Sequence, residues 1–135
     1  MNHVALEQME ERLSGAEKYL DASALAGEWT NTNAKPAMIR HIQIDTRDGQ
    51  LMMRVTGSEA GLPEDWGVAA AQPFAENTAS VQAMAFSALF DLAGVESLLQ
   101  GYVVKGVLVI VSFTRVKDGR DRSSSFGKEF FYRVS

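Results

Sequence analysis

The sequence contains no cysteine and only two histidines, His3 and His41, in 135 residues. Without thiols, disulfides and thiolate metal sites are excluded. Their absence points to a cytoplasmic setting, because small secreted domains commonly rely on disulfides. The two histidines stand far apart and no EF-hand spacing accompanies them, so no metal site is expected. The start, Met1-Asn2-His3-Val4, lacks a basic stretch followed by an apolar run, so no signal peptide is expected. Nowhere does the chain approach the ~20 apolar residues of a membrane span. There is also no Asn-x-Ser/Thr acceptor. Glycine-rich phosphate loops are missing, both Gly-x-Gly-x-x-Gly and the Walker pattern, and no cofactor is implied. No Gly-x-Ser-x-Gly elbow is present, and Ser123-Ser124-Ser125 reads as a turn.

What is present fits one globular domain spanning 1–135. The apolar content is 46%, enough for a core without staples. The net charge of −4 argues against nucleic acid as a partner. Charge is unevenly spread, with 14 of the 17 acidic residues but only 6 of the 13 basic ones in residues 1–100. Such asymmetry can orient partners or subunits and leaves a homo-oligomer open.

Leu6, Met9, Leu13, Ala16 and Leu20 are spaced 3, 4, 3 and 4, which predicts an amphipathic helix within 1–22. The remainder, 26–135, reads as about eight antiparallel strands. Asp48-Gly49 between strand-like runs is a hairpin signal, since both central residues of such a turn need positive φ. Lys105-Gly106 and Lys117-Asp118-Gly119 mark two further turns. Pro73 ends a strand or marks its edge. Residues 80–92 satisfy both the strand and the helix template, and their strand-like neighbours favour strand. A meander of eight strands leaves two edges unless it closes on itself, so a closed barrel is expected.

Gly27-Glu28-Trp29 on the first strand resembles the Gly-x-Trp of the lipocalin-like (calycin) superfamily, the lipocalin, fatty-acid-binding and avidin group. In that group an arginine late in the last strand packs over the tryptophan and closes the barrel base. Arg133 stands at the corresponding place. The resemblance implies a mainly β, lipocalin-like barrel that holds a small ligand. The chain departs from the group in lacking both the disulfides of many secreted lipocalins and the helical lid of fatty-acid-binding proteins.

The candidate ligand-binding residues are Arg40, Met53, Trp66, Phe86, Phe90, Gln100, Tyr102 and Phe113. Phe and Met supply apolar wall, while Arg40, Gln100 and Tyr102 are polar groups among apolar neighbours, the kind that orient a ligand. Small residues, Ala88 beside Met84, Phe86 and Phe90, and Ala70 beside Trp66 and Val68, would leave space if they faced inward. The expected function is binding of a small, partly apolar molecule in the barrel. One alternative is a cofactor-independent isomerase or cyclase using Asp91, His41 or Tyr102 as acid or base. The other is an interaction module with a solid core.

Overall fold

The computed structural model describes residues 20–119 and 123–135. The predicted helical stripe from Leu6 to Ala16 lies outside these residues. Where the described chain begins it is not helical: Asp21 forms an isolated parallel bridge to Gln82. Its backbone N–H donates to the Val81 carbonyl at 2.7 Å. The helix expected over 1–22 therefore does not reach its proposed end. The Asp21 carboxyl accepts the Ser23 backbone N–H, which holds it below the ordinary aspartate value.

Eight strands make up the rest: β1 (Gly27–Asn31), β2 (Ile39–Arg47), β3 (Gln50–Gly57), β4 (Asp65–Ala75), β5 (Ala83–Asp91), β6 (Val95–Val104), β7 (Val107–Val116) and β8 (Ser125–Arg133). Each pairs antiparallel with the next, and β8 pairs back onto β1, so the sheet is a closed barrel. The contested run 80–92 is strand β5. Three tight turns use paired positive φ: Asp48 and Gly49, Ala93 and Gly94, Lys105 and Gly106. That geometry matches the twist of the flanking strands.

Pro73 neither ends β4 nor breaks it. The β3 ladder reaches Ala70, and beyond it the strand continues to Ala75 on β5 alone. A residue without an N–H is tolerated where one side of a strand is unpaired.

One end of the barrel, the base, is closed by the segment 20–26. Leu25 is fully buried there, with Leu20 and Ala22 packed beside it. Trp29 donates its indole N–H to the Leu25 carbonyl at 2.9 Å. The Arg133 guanidinium lies 4.7 Å from the Trp29 ring centre and donates to the Ala24 carbonyl at 2.6 Å. This is the tryptophan–arginine stacking expected at the base. Gly27 is required beside it. Its φ is +133°, and a Cβ would sit 2.6 Å from the Ser135 carbonyl oxygen.

Large side chains occupy the lumen. Trp29, Met53, Phe86, Leu99, Leu108 and Ile110 are all essentially inaccessible. An eight-stranded barrel has an interior that such side chains just fill. Gly101 makes this packing possible, because a Cβ there would run into the Phe86 ring and the Ile110 methyl. No helix among the described residues is long and apolar enough to cross a membrane.

Candidate functional site

The end opposite the base, the mouth, differs in chemistry. There the inward alternation of β6 and β7 turns polar: Val95, Ser97 and Leu99 on one strand, Ile110, Ser112 and Thr114 on the other. Ser97 Oγ and Thr114 Oγ1 are 3.0 Å apart across this buried pair of strands. The Met38 thioether lies over them and accepts from Ser112 Oγ at 3.5 Å and Thr114 Oγ1 at 3.8 Å. From β4 and β5 come Trp66 and Phe90, whose rings meet edge to face at 5.6 Å. Leu62 packs onto the core from the β3–β4 loop.

Two irregularities aim these groups. Gly67 has φ +80°, and the β3–β4 register shifts between Arg54 and Thr56. This bulge puts both Trp66 and Ala69 on the inner side, although they are separated by an odd number of positions. The Trp66 indole occupies the space a side chain at Gly57 would take. Its Nε1 is buried and has no hydrogen-bond partner. A buried donor left unpaired costs about 1–3 kcal/mol.

The Met38 segment is held by Glu129. That carboxylate accepts from Asn31 Nδ2 at 2.8 Å, from the Ile39 N–H at 3.1 Å and from the Met38 N–H at 3.4 Å. Glu129→Gln replaces one carboxylate oxygen by a donor facing donors. We expect a loss of about 1–3 kcal/mol, typical of a severed charge-assisted bond, read from the urea midpoint. A loss under about 0.5 kcal/mol, the surface range, would show that Glu129 does not anchor the loop.

Of the residues singled out from the sequence, Met53, Trp66, Phe86 and Phe90 face inward and are buried. Gln100 and Tyr102 do not; they are exposed on the outer side of β6, where Val95, Ser97, Leu99 and Gly101 are the inward set. Phe113 likewise points outward from β7. Arg40 is exposed and pairs with Glu64 at 3.4 Å. A register shift between Ile39 and His41 puts Ile39, Ile42 and Ile44 inside together, which neither simple alternation of β2 allows. His41 is half-buried and bonds Thr30 Oγ1 at 3.1 Å, and Asp91 is exposed at the end of β5. Asp91, His41 and Tyr102 thus lie outside the lumen and on separate strands, so an acid–base centre built from them inside the barrel is ruled out. Ala70 and Val68 face outward, opposite to Trp66, because of the Gly67 bulge. Ala88 is inward as expected.

Sequence reasoning missed Met38, Ser97, Ser112, Thr114, Asn31 and Glu129. The signal was there as serine and threonine in the inward alternation of β6 and β7. Among the described residues, hollows flank the mouth: one of ≈ 210 Å³ is lined by Arg40, Gly57 and Leu62, another of ≈ 260 Å³ by Asn31, Pro36 and Tyr132, among others. Compared with protein-family profiles, with curated proteins and with solved structures, the chain finds no match in any of the three.

Proposed function

We propose that the barrel takes up a small, partly apolar molecule at its mouth. Binding would require Met38 to swing away, since its thioether lies over the hydroxyls of Ser112 and Thr114. Methionine suits that movement, being unbranched and adaptable. The observation that carries this reading is the unpaired indole N–H of Trp66, buried beside Phe90. The ligand would place an acceptor on Trp66 Nε1 and its apolar body against Phe90 and Leu62. The hydroxyls of Ser112 and Thr114, relieved of the weak sulfur acceptor, would donate to it. Apolar walls with a few convergent polar groups are the usual make-up of a small-molecule site.

The same reading makes the chain a cytoplasmic member of the lipocalin-like superfamily. The closed eight-stranded barrel, Gly27 and the stacking of Arg133 on Trp29 support that assignment.

Anilinonaphthalene sulfonate is a suitable probe, with apolar rings and an anionic acceptor. We expect saturable uptake of one dye per chain at micromolar affinity, worth roughly 8 kcal/mol. Trp66→Phe keeps an aromatic ring and removes the donor. It should weaken the dye about tenfold, in line with a hydrogen bond to a charged group. Met38→Ala should tighten it by opening the mouth. Dye uptake indifferent to both substitutions, or no uptake, would contradict the proposal.

A further inference from the structure

The outer surface of the barrel has two unlike halves. Across β1–β3 two outward rows are polar: Glu28, Gln43 and Arg54 are cross-strand partners, as are Thr30, His41 and Thr56. On β5–β8 they are not. Leu89, Leu98, Phe113 and Phe126 are successive cross-strand partners, forming one apolar row across four strands. A second row runs through Ala85, Tyr102, Val109 and Phe130, of which Val109 is itself buried, and a third through Val104, Val107 and Tyr132. Between the first two lies a row of Ser87, Gln100, Val111 and Lys128. Toward the mouth the face ends in the charged row Asp91, Glu96 and Arg115.

Phe126 is 77% exposed, and Phe113, Phe130, Tyr132 and Leu89 are about half exposed. A fully open aromatic side chain offers ~150–250 Å². On that scale the open parts of these residues and Tyr102 add to roughly 470–780 Å², at the upper end of or above the ~300–600 Å² of a monomer's largest apolar patch. Each partner in a standard-size protein interface contributes about 800 Å².

We propose that this face is where two copies of the chain meet. Each of its rows can lie on a reversed copy of itself. A two-fold axis lying in the face parallel to the strands, between β6 and β7, sets each row on its own copy in reverse order, apolar on apolar and polar on polar. In such an interface a group near the axis meets its own copy. The Gln100 amide carries both donors and acceptor, so it can pair with itself. The single charge in the face, Lys128, sits at its β8 side with its ammonium 5.8 Å from the Phe130 ring centre, and so away from its own copy. Four strands span about 19 Å, whereas one helix is ~10–12 Å across. A single helix would therefore cover only part of the face, while a second sheet covers it all.

The face lies on the outside of the wall whose inner side carries Ser97, Ser112 and Thr114, and it shares no side chain with the mouth. Sedimentation of the full-length chain from micromolar concentrations upward tests the proposal. The expected mass is twice 14.8 kDa. Phe126→Asp and, separately, Tyr102→Lys should each raise the dimer dissociation constant at least ~30-fold, as loss of a hot-spot aromatic does. Both should leave the dye affinity of the mouth unchanged, and the melting temperature unchanged when measured below the dimer dissociation constant, where association no longer adds stability. A monomer at all concentrations would overturn the proposal. So would a dimer that tolerates both substitutions, or a monomer that dimerises only after residues 1–19 are removed, which would make that segment the occupant.

Discussion

Trp29→Ala is expected to destabilise the barrel by about 3–5 kcal/mol, the range for deleting a buried tryptophan or phenylalanine ring. Three losses coincide. The ring is 1% exposed, so its removal leaves a void at the base. The Leu25 carbonyl loses its indole donor. The Arg133 guanidinium loses the surface it stacks on, while still bonded to the Ala24 carbonyl that holds the base segment. Since whole domains are stable by only about 5–15 kcal/mol, this is a large share. Trp29→Phe separates the terms, because it keeps most of the ring and removes the N–H. It should cost about 1–3 kcal/mol, the penalty for an orphaned buried acceptor. Urea unfolding of both variants checks this. A Trp29→Ala loss below about 1 kcal/mol, the average for any point mutation, would mean that the base does not depend on this residue.

The second large effect lies at the middle of the lumen. Gly101 and Phe86 are direct cross-strand partners, and the ring lies over the glycine. Phe86→Ala should cost about 3–5 kcal/mol as a cavity. Gly101→Val should cost about 1–3 kcal/mol or more as overpacking, because its Cβ meets the ring and Ile110. The two changes are opposite errors in one space. In the double variant the valine fills part of the hole, so the combined loss should fall short of the sum by about 1–3 kcal/mol. Strict additivity would show that the two residues do not share that space.

The barrel was legible in the sequence because its turns and its closure obey local rules. Asp48-Gly49 and Lys105-Gly106 announce hairpins, and Gly27, Trp29 and Arg133 mark the base. The inner wall was less legible. In β6 the residues Leu98, Tyr102 and Val104 are as apolar as Val95, Leu99 and Val103, so alternation alone could not say which set faces in. Strands covered on both faces read as continuous apolar runs. The choice of Gln100, Tyr102 and Phe113 as wall residues came from that ambiguity, and the apolar outer face of β5–β8 is its physical origin. The bulges at Arg40 and Gly67 added a second error. Each inserts a residue that local periodicity does not foresee, and each reverses the facing of the residues beyond it. The polar mouth was overlooked for a simpler reason. Ser97, Ser112 and Thr114 are small residues that look like solvent-facing positions until the inward set of their strands is known.

The indole N–H resonances of Trp29 and Trp66 in a ¹⁵N-labelled sample give the most direct measurement of the account's central claim. Trp29 is already bonded at the base, whereas the Trp66 indole N–H has no partner. On titration with anilinonaphthalene sulfonate, the Trp66 resonance should move downfield and saturate at one dye per chain. The Trp29 resonance should stay in place, and Phe126→Asp should leave the titration unaltered. Dye uptake with the Trp66 resonance unmoved would contradict a site at the barrel mouth.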